Sequence, residues 1–355
     1  MASFGTGGPV VGLDIGTSAV RAAQIATGRG ATSLQSFGQV ALPSGAVVDG
    51  EIRDQGAVSE AISQLMKRTK MKARRAILGV ANQRVVVRQV DLPYLEEKDF
   101  RSSLQFQVAD HIPMPVETAE LDYQILGEFT TETGERMMRV LLVAAATDMV
   151  DSFVSAAAAA GLDPAGVDLT PFAVARAVSP SARGESGSAS AEAIVDVGAG
   201  VTSVFVHHNG EPRFVRILLV GGDDATNALA SELRVSFEEA ESVKLDLGRG
   251  VGSPDAQRVL QTRVAALVEE IRGSLDYYIS QDDSEPVGSL ILTGGGSLTP
   301  GLAASLEQTV RTQVRRATTL AQMNFSKSGL TQDQITQVEP VAAAAVGLAM
   351  GGASR

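Results

Sequence analysis

Val10–Arg21 reads VVGLDIGTSAVR, and the rest of the chain is organised around this stretch. The apolar positions Val10, Val11, Leu13 and Ile15 enclose Asp14, and Gly16, Thr17 and Ser18 follow before Val20 resumes the pattern. Such a pattern predicts a strand, a tight turn and a second strand. Gly16 lets the backbone turn without a Cβ, and Gly16, Thr17 and Ser18 offer N–H and O–H donors to a phosphate. A carboxylate at Asp14 cannot touch phosphate directly, but it can hold a hydrated Mg²⁺ that does. Strand alternation is expected to point Arg21 away from the turn, which leaves no cation there to clamp a phosphate.

The pattern recurs. Ile194–Ser203 reads IVDVGAGVTS, with Asp196, Gly198, Gly200 and Thr202 spaced much as in the first stretch. Two Asp-x-Gly hairpins in one chain predict two similar halves facing each other across a cleft. A third segment, Leu290–Leu302 (LILTGGGSLTPGL), reads as a buried strand, a three-glycine turn and a helix start at Pro300. Gly294, Gly295 and Gly296 allow backbone to pass close to a flat ligand, and a helix N-terminus favours an anion. In this order the three segments resemble the phosphate-1, phosphate-2 and adenosine motifs of the superfamily of ATPases that includes actin, heat-shock chaperones and sugar kinases.

Composition agrees with a two-lobed globular chain. At 355 residues there is room for ample core, and 44% hydrophobic with 20% charged residues is a soluble balance. A net charge of −11 argues against non-specific nucleic-acid binding and against whole-molecule attraction to anionic lipid. The absence of cysteine excludes disulfides and thiolate metal sites. No run is long and apolar enough to span a bilayer, MASFGTGGPV reads as a short flexible lead, and the expected compartment is the cytoplasm.

Along the chain, Leu34–Leu42 predicts a third strand and Gln55–Lys70 an amphipathic helix with Val58, Ile62, Leu65 and Met66 on one face. Lys67–Arg75 is strongly basic and reads as a solvated helix end. Strands are expected at Ala76–Val80 and Val85–Val90, broken by Asp91–Tyr94. A helix from Leu95 to before Ile112, strands at Leu121–Phe129 and Arg139–Ala145, and a helix at Asp148–Ala160 make up a small inserted α/β module. Ser179–Ser190 reads as a mobile loop between the halves. Asn209-Gly210 is a hairpin signal. His207 and His208 flank it but lack a third metal ligand of suitable spacing. Gly221-Gly222-Asp223-Asp224 caps a helix, further helices follow at Arg234–Leu245, Ala256–Ser280 and Gly301–Val310, and Pro340–Met350 closes the chain.

The superfamily resemblance implies ATP and Mg²⁺ between the lobes. Asp14 and Asp196 then belong to the metal-water shell. Gly16, Thr17 and Ser18 line one side of the phosphates and Gly198, Gly200 and Thr202 the other. Glu241 and Lys244 share a helix face at i and i+3 and resemble a signature whose Glu meets the ribose and whose Lys lies against the purine. Chaperone-type members place a Glu before a Pro to orient water. Thr170 stands there in Leu169-Thr170-Pro171, so no residue is assigned a catalytic role and hydrolysis is expected to be slow at most.

The module selects the branch. Val47-Val48-Asp49-Gly50-Glu51-Ile52, Asp91-Leu92-Pro93, the Phe100–Pro115 segment and Leu121-Asp122-Tyr123 resemble the PilM family, the actin-like component of type IV pilus assembly. That resemblance implies an actin-like, ribonuclease H-like, two-lobed α/β fold with an inserted subdomain of the FtsA type. The first lobe spans 1–178 with the insertion at about 95–160. The second spans 191–339 with a helical subdomain at about 224–285, and 340–355 is a C-terminal helix returning to the first lobe. It further implies a groove beside the module for the cytoplasmic N-terminal peptide of a PilN-like membrane protein, with Phe106, Ile112 and Met114 as candidate contacts. Other pilus assembly proteins are further partners, and self-association is left open. The stretch 351–355 holds one cation and no amphipathic pattern, so the membrane is expected to be reached through a partner, without direct insertion. The alternatives are an FtsA-like cell-division protein and a small-molecule kinase of the same superfamily. Against the kinase, Asp148, Asp151 and Asp168 have no accompanying Asn/Gln/Trp cluster in this chain, which has no Trp.

Overall fold

A computed structural model of the protein describes residues 9–28, 31–281 and 284–353. Residues 1–8 of the expected lead, 29–30 of the loop after the first hairpin, 282–283 of the acidic loop and 354–355 lie outside the described residues.

The first lobe begins with a meander, β1 (Val11–Ile15), β2 (Ala19–Gly28) and β3 (Ala31–Ala41). A two-residue hairpin follows, β4 (Val47–Val48) and β5 (Glu51–Ile52), with Asp49 and Gly50 at positive φ in its turn. Asp54 then caps α1 (Gln55–Thr69) by accepting from Ala57 N–H at 2.9 Å, and Val58, Ile62, Leu65 and Met66 bury its apolar face. β6 (Arg75–Val80) lies parallel to β1.

The inserted sheet comes next: β7 (Val85–Pro93), α2 (Glu97–Val108), β8 (Ala119–Thr130) and β9 (Arg136–Ala146), in the order β7-β9-β8. Asp91–Tyr94 does not break the strand pattern as expected, because β7 runs on to Pro93. β7 is an edge strand, where a proline need not sacrifice a ladder hydrogen bond, and Asp91 is held by a two-pronged contact from Arg139 on β9. The separate sheet thus starts ten residues before the expected 95. At the other end, α3 (Thr147–Ala159) packs its Met149 and Phe153 into the first-lobe core rather than into the insertion. β10 (Asp163–Leu169) and α4 (Thr170–Val178) complete the lobe.

The second lobe repeats the plan. β11 (Ala191–Val197), β12 (Thr202–His208) and β13 (Glu211–Leu218) form a meander, with Asn209 and Gly210 both at positive φ in the predicted hairpin turn. α5 (Gly222–Leu233), α6 (Phe237–Leu247) and α7 (Pro254–Ile279) follow. Then come β14 (Val287–Thr293), α8 (Leu302–Val310), β15 (Val314–Arg316), α9 (Gln332–Val338) and α10 (Ala343–Ala353). The sheets read β10-β6-β1-β2-β3 and β15-β14-β11-β12-β13, each a meander extended by two parallel strands on its first strand's side. The two halves inferred from the repeated hairpins are therefore topologically equivalent.

α10 returns to pack on α4, β1 and β6. Its approach is so close that a Cβ on Gly12 would fall 2.0 Å from the Ala345 carbonyl oxygen, and one on Gly347 would fall 1.7 Å from that of Ala173.

The expected mobile loop at Ser179–Ser190 is tied at both ends. Ser179 is fully buried and donates to the Glu192 carboxylate, while Asn209 brackets Ser188 with hydrogen bonds of 2.8 and 3.1 Å. Burial alone would raise the Glu192 carboxyl, but His207, Ser179 and Arg315 outweigh it and hold it at about 2. His207 Nε2 lies 3.3 Å from the Glu192 carboxylate, and His208 Nδ1 lies 3.1 Å from that of Glu285.

Candidate functional site

The turns of the two matching hairpins meet across a cleft of about 420 Å³, within the usual size range of small-molecule sites. Each turn closes the same way. Gly16 N–H donates to Ala19 O at 3.1 Å, and Gly198 N–H donates to Val201 O at 2.9 Å. Asp14 and Asp196 both line the cleft, as do Gly16, Thr17, Ser18 and Gly198. Burial raises the Asp14 carboxyl, and Arg21 opposes that rise. Burial and the charge of Asp14 push Asp196 up to about 7. Two carboxylates that resist joint ionisation form a site that a divalent cation would relieve.

Arg21 corrects the sequence reading. The hairpin register sets Asp14 opposite Arg21, and directly opposed residues share a face of the sheet. Arg21 therefore points into the cleft, with Nη1 3.5 Å from Asp14 Oδ2 and a buried Nε that has no hydrogen-bond partner. The same rule corrects Thr202. Asp196 is opposite Ser203, so Ser203 lines the cleft, whereas Thr202 is buried behind it and donates to Val220 O at 2.7 Å. Gly200 packs against Thr17, 3.0 Å from where its Cβ would be, so the two turns touch there.

Gly294, Gly295 and Gly296 line the far side. Two of them are required by the protein itself. A Cβ on Gly294, at φ 87°, would sit 2.2 Å from Val197 O, and one on Gly296 would sit 2.6 Å from Gly198 O. Glu241 and Lys244 lie beside them. Lys244 Nζ is 2.7 Å from Glu241 Oε2 and 2.7 Å from Thr226 Oγ1, and that hydroxyl donates to Glu241 at 2.6 Å. Thr226, which sequence reasoning missed, thus completes the pair. Thr170 also lines the cleft.

A second cavity of about 580 Å³ opens between the inserted sheet and the lobes. Its walls include Leu141 and Val143 of β9, Phe172 and Arg176 of α4, and Phe205 of β12. The expected contacts Phe106, Ile112 and Met114 are not among them. The inserted sheet has two faces. α2 covers the one carrying Val140 and Leu142, and Ile112 and Met114 pack into that covered core. Phe106, 84% exposed, projects from α2 to solvent. The second cavity lies on the opposite face, beside Leu141 and Val143.

Comparison with known proteins finds a family, a curated relative and similar solved structures. The family described as type IV pilus assembly protein PilM matches residues 12–353. Among curated proteins, cell division protein FtsA of Bacillus subtilis (strain 168) is 22% identical over 348 residues, covering 86% of this chain and 78% of that protein. Among solved structures, a PilM-PilN type IV pilus biogenesis complex superposes with a TM-score of 0.84 at 24% identity, covering 97% of this chain and 98% of that one. An archaeal actin homolog superposes with a TM-score of 0.50 at 14% identity, covering 98% and 100%. The fold is thus the actin-like two-lobed α/β fold.

Proposed function

The chain belongs to the PilM family of type IV pilus assembly proteins, and from that premise we propose that it is an ATP-binding adaptor of pilus assembly. ATP with Mg²⁺ occupies the cleft, and the cytoplasmic N-terminal peptide of a PilN-like inner-membrane protein occupies the groove. The observation that carries the nucleotide half is the opposed pair Asp14 and Asp196 beside the unpartnered Nε of Arg21. A cation neutralises the pair, and Arg21 answers the charge of the phosphates. Thr17, Ser18 and Ser203 supply the remaining donors around them, Gly16 and Gly198, whose N–H groups close the turns, leave room there for the phosphates, and Glu241 and Lys244 flank the nucleoside. Turnover is slow, since the hydroxyl of Thr170 is a poor base for water at neutral pH.

The groove half is supported by an apolar cavity against an inserted sheet, in a chain that superposes on a PilM-PilN complex. An extended apolar peptide fits such a site. No helix among the described residues is long and apolar enough to cross a membrane, and the peptide would bring the protein to the inner face of one.

Calorimetry tests the cleft. Asp14→Ala and Asp196→Ala are each expected to weaken Mg-ATP binding at least tenfold, while far-ultraviolet circular dichroism stays unchanged. Unaltered affinity in both variants would remove the basis of the assignment.

A further inference from the structure

Residues 61–90 carry eight Lys or Arg and no Asp or Glu, in a chain of net charge −11. The structure gathers five of these cations on one edge of the first lobe. Lys67 and Arg68 are exposed on the last turn of α1. Beyond the helix, Met71 and Ala73 are buried, and Lys70, Lys72 and Arg74 alternate with them on the exposed side. Two buried anchors thus hold the strip with its cations outward. Asp163 pairs in register with the next residue, Arg75. Even so, among the described residues none of the five cations makes an ion pair with a carboxylate. By contrast, Arg84 of the same run is engaged by Asp148.

A helix end needs one or two cations to answer its dipole. Five unpaired ones, three of them beyond the helix, are more than that role uses. None lines the cleft or the groove, so the strip is not part of either cavity. It presents charge along an open edge, which suits a surface of many mobile anions better than a single small ligand.

We infer that Lys67, Arg68, Lys70, Lys72 and Arg74 form a contact surface for the anionic headgroups of a lipid bilayer. The net charge of −11 does not oppose this at close range. At physiological salt the Debye length is about 8 Å, so a bilayer meeting this edge senses the strip and little of the acidic remainder. The strip sits at the start of β6, and Val80 at the other end of β6 lines the groove, about 17 Å away along the strand. A bilayer can therefore be met without covering either cavity, and the inference does not depend on what fills them.

The test is co-sedimentation of the purified full chain with vesicles of phosphatidylglycerol and phosphatidylcholine, against vesicles of phosphatidylcholine alone. Binding is expected only to the anionic vesicles and is expected to be reversed by salt. Each cation near an anionic leaflet is worth roughly fivefold in partitioning, so the triple variant Lys70→Gln, Lys72→Gln, Arg74→Gln should lose roughly a hundredfold. A control with the same change of net charge, Lys98→Gln, Arg263→Gln, Lys327→Gln, alters exposed cations elsewhere and should bind nearly as wild type. Thermal melts establish that both triple variants are folded. Failure of the wild type to bind anionic vesicles at low salt overturns the inference, as does equal loss in the two variants. Tighter binding to duplex DNA than to the vesicles would assign the strip to nucleic acid instead.

Discussion

Arg21 carries the sharpest consequence at the scale of single residues. Among the described residues it is the one cation beside the opposed carboxylates of the cleft, and its Nε has no hydrogen-bond partner. A charge-assisted hydrogen bond to a charged ligand contributes about 1.5–3 kcal/mol. Arg21→Ala should therefore weaken ATP binding by roughly 10- to 100-fold, and adenosine binding hardly at all. Equal losses for the two ligands would show that Arg21 acts only by positioning Asp14. Asp196 yields a pH dependence. Its carboxyl is pushed to about 7 in the folded protein, chiefly by burial and then by Asp14, against an ordinary value of 3.8. Between those values the folded state retains a proton that the unfolded chain has released. The metal-free protein should thus lose stability as pH rises through that window, by at most about 1.4 kcal/mol per unit. Urea titrations of wild type and Asp196→Asn from pH 4 to 8 should differ in this slope, and Mg²⁺ should stabilise the wild type more at pH 8 than at pH 5. Matching slopes would mean that Asp196 titrates normally. Both side chains were within reach of the sequence. Counting across a two-residue turn sets Arg21 opposite Asp14, and the register of the second hairpin sets Ser203, not Thr202, opposite Asp196.

At the scale of elements, recurrence made the fold legible. The Asp-x-Gly hairpins, the three-glycine turn and the Asn209-Gly210 turn all lie where their spacing put them, because each rests on local backbone chemistry. The insertion was less legible because its limits are set by tertiary contacts. β7 belongs to the inserted sheet through its pairing with β9, and α3 belongs to the first lobe through the packing of Met149 and Phe153. Neither pairing is encoded in the element's own periodicity. That Ile112 and Met114 lie in the covered core of the insertion was hidden for the same reason, since only the docking of α2 decides which face of that sheet remains open. The closing helix provides a test of packing. At Gly347 an added Cβ would meet the backbone oxygen of Ala173, which no rotamer change can move aside. Gly347→Ala should cost about 3 kcal/mol or more, beyond ordinary overpacking, and lower the denaturant midpoint accordingly. A variant as stable as wild type would show that α10 is free to shift outward.

Across the whole molecule, the cleft and the second cavity are lined by neighbouring residues of the same elements. Gly79, Thr170 and Ser203 face the cleft, and Val80, Phe172 and Phe205 face the groove. Phe172 belongs to the first lobe and Phe205 to the second, and their rings meet edge to face at 5.5 Å. The inserted sheet also reaches the second lobe, where Gln89 Nε2 donates to Pro212 O at 2.6 Å. A peptide seated in that cavity, as proposed, would touch the inserted sheet and both lobes, and the two lobes also surround the cleft. If ATP favours one lobe arrangement, the peptide must gain or lose affinity by the factor it imposes on ATP, since the coupling free energy is shared. A factor of roughly 5 or more is expected in titrations of a PilN-like N-terminal peptide with and without Mg-ATP, with the same factor for ATP with and without peptide. Gln89 lines neither cavity. Gln89→Ala should therefore leave each ligand's separate affinity nearly intact and reduce the factor. Peptide affinity indifferent to nucleotide in the wild type would show that the two cavities share a wall without sharing a conformational equilibrium.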